Sequence, residues 1–444
     1  MGFSSRRPAL AIAAAVGLVL SAAACGTDDS GGKSTADCGA YEQYEGHDGT
    51  SVEIYSSIRE IEDERLQQSW EEFEECTGID IEHEGSGEFE AQLPVRVDGG
   101  NAPDIAFIPQ PGLIQRFAAS GKAKPVSADT KTMAEANYTA DWLRYGSVDG
   151  TLYGAPLGSN VKSFVWYSPT MFAEKGWQVP KSWDELLKLS DTIAADGTKP
   201  WCVGIESGDA TGWPMTDWVE DMVLRVASPE VYDQWVNHEI AFNDPRIAES
   251  LDQAGRILKN EKYVNGGFGG VKSISTTSFQ EAGVPITQGK CALHRQASFY
   301  ANQWPENTKV AEDGDVFAFY FPAVDPSKGE PVLGGGEFVV AFADRPEVQA
   351  VQTYLASGLH ANSRAKIGDW VSANKELDTA NVANPIDRLS VEILQNPQTV
   401  FRFDASDVMP ASVGAGTFWR GMVDWVNGND TKGVLDGIES SWPK

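Results

Sequence analysis

Two spacings of apolar positions alternate along this chain, and each change of spacing marks an element. Residues 51–57 (SVEIYSS) read as a strand. Across residues 60–76, Leu66, Trp70, Phe73 and Thr77 recur at helical spacing with acids between them, which predicts one helix stopped by Gly78. Residues 79–83 form a second strand, and Asn101-Ala102-Pro103 turns into a third over 104–109 (DIAFIP). Strands and helices alternating at this distance imply a parallel α/β layer.

The pattern returns further on. Residues 153–156 lead into a strand over 161–167 (VKSFVWY). Ser182-Trp183-Asp184-Glu185 is a capping box, with Ser182 as cap, Glu185 reaching back, and Gly197 as the stop. Between 200 and 296 short apolar runs alternate with helices, and 292–294 reads as a buried strand after the turn Gln288-Gly289-Lys290. Residues 316–322 and 337–342 are two more strands, linked through Gly334-Gly335-Gly336, whose use is a tight crossing or a close backbone approach. The last quarter reads as mainly helical, ending near Trp442. Without a repeat or a long linker after Thr35, the chain is expected to be one body of two α/β lobes with its ligand cleft between them.

The first residues have their own grammar. Arg6 and Arg7 precede an apolar stretch over 9–24, too short to span a bilayer, that ends in Ala22-Ala23-Ala24-Cys25-Gly26. This looks like a bacterial lipobox, with cleavage exposing Cys25 for acylation. The alternative is an ordinary signal cleaved after an Ala-x-Ala site, with Cys25 incidental. Residues 26–35 (GTDDSGGKST) suit a flexible tether.

Composition narrows the chemistry. With 64 acids against 35 basic residues the formal net charge is −29, a field that repels nucleic acid and disfavours capture of an anion. The four cysteines after Cys25, namely Cys38, Cys76, Cys202 and Cys291, lack metal-ligand spacing. In an oxidising compartment they are expected as two disulfides, preferably Cys38–Cys76 and Cys202–Cys291, among three possible connectivities. The five histidines are scattered, and neither a nucleophile elbow nor a P-loop occurs, so neither metal nor cofactor is expected. Gly334-Gly335-Gly336 precedes a strand and is not a dinucleotide fingerprint.

Four segments in order carry a resemblance: 101–107 (NAPDIAF), 163–172 followed by 179–186 (VPKSWDEL), 290–300 (KCALHRQASFY), and 409–425 (MPASVGAGTFWRGMVDW). Over residues 50–444 the chain resembles the extracellular solute-binding protein family 1, the maltose-binding-protein-like carbohydrate receptors of ABC importers. The runs YVNGGFG and HRQASF look closest to actinobacterial α-glucoside-binding lipoproteins. The resemblance implies an α/β, two-lobe periplasmic-binding-protein-like fold (type II) with lobes joined by crossing hinge strands. It implies a signal peptide over 1–24, a tether over 25–38, an N-terminal lobe over 39–160 plus 337–369, and a C-terminal lobe over 161–336 plus 370–444. It further implies a monomer held by lipid at the extracellular face of the membrane, not an enzyme, that binds a sugar and serves ABC permease subunits.

Residue by residue, the resemblance puts Trp419, after Phe418, where a sugar-stacking Trp stands, and Phe299 where another aromatic stands. Trp213-Pro214 matches a Trp-Pro pair beside a polar loop, which brings in Asp209 and Thr211. Arg59 follows the first strand, and Glu88 and Glu90 lie near an acidic position. After Phe107 the maltose receptor's Trp and Asp-Arg become Ile108, Gln110 and Pro111-Gly112, so maltodextrin itself is not the expected ligand. Gln110, Asn160, Lys162, Ser298, Gly335, Glu337 and Asp407 complete the candidate set. Pyranoses offer a C–H face to flat aromatics and a hydroxyl rim to fixed polar groups, which is the chemistry these residues supply. Most of the 14 tryptophans, Trp183 among them, are expected in the core. The rival reading is a secreted, lipid-anchored glycan-active hydrolase or lyase, which needs two carboxyls about 5–10 Å apart.

Overall fold

The computed structural model describes residues 38–443 apart from 326–328, 383 and 397. The expected signal segment, Cys25 and most of the tether lie outside the described residues. Among the described residues no helix is long and apolar enough to cross a membrane.

The first sheet has the strand order Ile79–Gly85, Thr50–Ser56, Ile105–Ile108, Phe338–Ala341 and Gly154–Pro156. Its first three strands are parallel, with Thr50 opposite Ile79 and Ile54 opposite Ile105. Phe338–Ala341 runs antiparallel to both of its neighbours. Both faces are buried, as a βαβ layer requires. Val52 and Ile54 pack with Leu66, Phe73 and Tyr354 on one side, while Tyr55 packs with Phe89, Leu93 and Phe117 on the other.

The helix expected over 60–76 is two helices, Glu60–Gln68 and Glu71–Thr77. The Ser69 hydroxyl donates to the Leu66 carbonyl, and Trp70 leaves the helical region at φ −118°, ψ 4°. Leu66, Trp70, Phe73 and Thr77 are all buried even so, because the turn preserves their common face.

A second sheet orders Phe317–Tyr320, Phe164–Tyr167, Cys291–Arg295 and Lys199–Trp201. It carries a tryptophan-rich core that includes Trp183, Trp218, Trp235 and Trp425. Ser182 caps the helix Trp183–Ala195 by accepting the Glu185 N–H, but the Glu185 carboxylate takes the Lys181 N–H, one residue earlier than expected.

A third sheet of Thr399–Phe403, Glu330–Gly335 and Asn160–Val161 links the two. It divides the strand expected over 161–167. Val161 pairs with Gly334, the Lys162 N–H goes to the Leu333 carbonyl, and only from Phe164 does the chain join the second sheet. The last quarter is mainly helical as expected, with strand Thr399–Phe403 an element the sequence reading did not include. That strand lies parallel to Glu330–Gly335, with Gly334 opposite Phe403. A Cβ at Gly334 would stand 2.3 Å from the Phe401 ring and 2.6 Å from the Asn160 carbonyl, so the glycine run serves close backbone approach.

Both expected disulfides are present, with Cα separations of 5.3 Å for Cys38–Cys76 and 5.8 Å for Cys202–Cys291. Residues 371–375 bond onto the first body: the Val371 carbonyl accepts the Ser159 N–H at 2.7 Å, and the Lys375 N–H reaches Asn137 at 2.8 Å.

Candidate functional site

Where the third sheet crosses, a cavity of about 210 Å³ opens between elements of the first and second sheets. Lys162 stands in its floor. The Lys162 ammonium donates to Asp217 at 3.0 Å and to Asp404, and lies 5.3 Å from the centre of the Trp213 ring. Asp217, Glu220 and Asp221 share one face of helix Trp213–Val226 through their i, i+3 and i+4 spacing. Asp404 ends the overlooked strand and caps the next turn, accepting the Asp407 N–H at 3.0 Å and the Ser406 hydroxyl at 2.7 Å. Glu220 accepts the N–H groups of Ala405 and Ser406 at 3.0 and 3.1 Å. Arg295 donates to Asp221, which also accepts the Ser163 hydroxyl.

Burial works against every charge in this floor, and the pairs settle the outcome. Burial alone would push Asp404 up, but the Lys162 ammonium holds its carboxyl below the usual range. Burial and the Asp404 charge push Glu220 and Asp407 well up, and burial raises Asp217 to about 7. Oxygens of Asp217, Glu220 and Asp404 come within 4.8 Å of one another, but the cation among them is the Lys162 ammonium. The donor set therefore fits a built-in lysine and gives no reason to place a metal ion there.

The upper wall is aromatic and acceptor-rich. Trp213 meets Phe279 edge-on at 5.0 Å and lies 6.1 Å from Phe299. Trp370 and Trp419 also line the cavity. Burial raises the carboxyls of Glu90 and Glu337, and takes those of Glu62 and Asp387 to about 7. Gln110 Oε1, Ser159 Oγ and Asn160 Oδ1 are buried, belong to residues that line the cavity and have no partner among the described residues. Buried polar atoms are almost always satisfied, so three orphans on one wall mark a place for donors from outside.

Of the residues expected from sequence, the cavity collects Arg59, Gln110, Asn160, Lys162, Trp213, Ser298, Phe299, Gly335, Glu337, Asp407 and Trp419. Ser298 turns its hydroxyl to accept the Val161 N–H at 3.2 Å. Three candidates are not on this wall. Thr211 uses its hydroxyl within its own loop, donating to the Gly208 carbonyl at 2.6 Å and accepting the Ser207 N–H. Asp209 is exposed at the cleft mouth, and its hydrogen bond to Glu88 raises the Glu88 carboxyl. It is Glu90, not Glu88, that enters the cavity.

Sequence reasoning missed Glu62, Ser159, Phe279, Trp370, Asp387 and Asp404. Trp370 follows Gly368-Asp369, a turn with Asp369 at φ 53°, a local signal that points to a special loop without saying what it faces. Asp404 depends on a strand, Thr399–Phe403, that the sequence pattern does not single out.

Two α/β bodies joined by a crossing sheet, with a partly polar cleft at the crossing, define a solute receptor of the two-lobe type II class. The family of bacterial extracellular solute-binding proteins matches residues 59–358, and the chain belongs to it. Its members are receptors and not enzymes. The chain is 44% identical over 385 residues to the osmoprotective compounds-binding protein GgtB of Synechocystis, covering 86% of this chain and 90% of that one. It is 38% identical over 410 residues to the alpha-glucosides-binding periplasmic protein AglE of Rhizobium meliloti, covering 89% and 88%. The solved structure of the bacterial solute receptor AcbH, described as exclusively preferring β-D-galactopyranose, superposes with a TM-score of 0.76 at 18% identity. That match covers 89% of this chain and 98% of the receptor.

Proposed function

We propose that this protein captures a neutral sugar, an α-glucoside or small oligosaccharide, in its interlobe cleft and delivers it to the permease of an ABC importer. The observation that carries this reading is the trio of orphaned buried acceptors, Gln110, Ser159 and Asn160, set beside the faces of Trp213 and Trp419. Hydroxyls satisfy such acceptors, and a pyranose C–H face satisfies the rings. The carboxylates around them repel an acid or a phosphate ester. Sugar-binding relatives such as AglE support the same class.

In this reading the lobes divide near Val161 and again near Gly336, and residues 370 to about 381 move with the first lobe. Each lobe presents half a site, so ligand favours the closed form. Cys25 carries the lipid anchor on the outer face of the membrane, and the receptor acts as a monomer. Thermal shift tests the ligand class: a saturating neutral α-glucoside stabilises by about 2.7 kcal/mol at a hundredfold excess over Kd, while uronic acids and sugar phosphates give no shift. A panel in which only the anionic sugars shift the transition overturns the reading.

A further inference from the structure

Behind Glu90, Gln110 and Trp419 the cleft does not end. It continues into a second chamber of about 680 Å³, and those three residues line both spaces. Resting on the sugar reading of the first chamber, we propose that the second receives the carbon-rich aglycone of an alkyl or aryl α-glucoside.

The junction is built to be crossed. Gln110 is 4% exposed, and its amide donates to Glu90 at a long 3.4 Å while its oxygen has no partner. A ligand hydroxyl beside the glycosidic bond supplies the missing donor. The Trp419 indole, also 4% exposed, is held by its N–H on the Ser406 hydroxyl at 3.4 Å. It follows directly on a π-helical turn, Val413–Phe418, a distortion that is rare outside functional sites.

The two chambers differ in chemistry. The first is walled by Glu62, Glu337, Asp369 and Asp387, and suits a hydroxyl-rich ring. The inner wall of the second is Pro94, Leu113, Pro410, Ala411 and Ala415, none with a side chain that forms a hydrogen bond. Apart from the shared Glu90 and Gln110 at the junction, its polar residues Gln115, Arg116, Asp209 and Ser412 are exposed at the rim. Arg116 there is already held by Asp98 at 2.8 Å. A second sugar ring in this chamber would leave hydroxyls facing carbon, which disfavours it. An alkyl or phenyl group loses nothing there and withdraws its surface from water.

The test compares methyl and phenyl α-D-glucoside by calorimetric titration of the parent, Ser412→Trp and Ala415→Trp. Ser412 is exposed and its side chain caps nothing, so its variant folds even where the half-buried Ala415 variant does not. The parent is expected to bind the phenyl glucoside about tenfold tighter, the effect of withdrawing roughly 55 Å² of carbon. Filling the chamber brings that ratio close to one. A ratio of one in the parent overturns the inference, as does a ratio unchanged in Ser412→Trp with a parental melting temperature. Maltose gaining more than the phenyl glucoside overturns it too. Failure of every glucoside to bind the parent would instead strike the sugar reading on which this rests.

Discussion

Trp213→Ala removes a half-buried ring of the cavity while leaving the core alone. The indole starts helix Trp213–Val226 directly after Gly212, whose φ of 116° suits glycine and whose Cβ would stand 2.3 Å from the Trp419 carbonyl. Phe279 and Phe299 hold it from the side, and it is absent from the buried core of that lobe. A pyranose laid on this face withdraws roughly 80 Å² of carbon from water, which at about 25 cal/mol per Å² is about 2 kcal/mol. Truncating a central aromatic anchor costs a similar amount, so Kd should rise about thirtyfold. Stability should fall by less than about 1 kcal/mol, because no buried cluster loses a member. Trp235→Ala is the control. Its ring is fully buried against Tyr232, Phe242 and Phe418, and its loss should cost about 3–5 kcal/mol of stability. Calorimetric titration paired with denaturant melts reads both quantities. Trp213→Ala binding within threefold of the parent would refute the placement of sugar on that ring, and so would Trp213→Ala unfolding like Trp235→Ala.

Lys162→Met should destabilise by about 3–5 kcal/mol, since it leaves Asp217 and Asp404 buried without their cation; urea melts that match the parent would contradict this. Arg65, on helix Glu60–Gln68, donates both to Asn302 beyond strand Cys291–Arg295 and to Asp369 at the cavity wall, and so latches one body to the other. Arg65→Ala should enlarge the ligand-free radius in solution scattering and weaken binding about three- to tenfold; a parental radius with parental affinity would remove the latch. Asp387 accepts the Trp370 N–H at 3.0 Å, and burial followed by the Asp369 charge raises it from 3.8 to about 7. A carboxyl raised on folding stabilises fully below its unfolded pKa and loses that contribution as pH rises through the folded value. Between pH 5 and 8 the parent should therefore lose about 2–3 kcal/mol relative to Asp387→Asn, and parallel stability curves would contradict the shift.

Much of the fold was legible because local patterns and long-range pairing agree. The run over 51–109 alternates strand and helix at a spacing that permits only a right-handed parallel layer, and the parallel register of Thr50–Ser56 with its two neighbours follows. Strand Thr399–Phe403 was not legible, since TVFRF is half-buried on both faces up to Phe403 and lacks strict alternation. That one omission also hid Asp404, whose role exists only because the strand ends beside helix Trp213–Val226. The break at Ser69-Trp70 escaped notice because the buried face continues through it. Trp419 was readable as a cleft residue, but not its near-complete burial against Ser406. Trp213 lies more open, half-buried beside Phe279 and Phe299. Trp370, Glu62 and Asp387 converge from distant segments, and no periodicity encodes where such loops meet.

Equilibrium dialysis of the purified protein against isotope-labelled methyl α-D-glucoside, with the retained ligand recovered and identified, tests sugar capture most directly. The expected result is one molecule of unaltered glucoside per chain at saturation, with about thirtyfold weaker retention by Trp213→Ala and no effect of an excess of glucuronate. Retention of nothing, or recovery of free glucose in place of the glucoside, would contradict it.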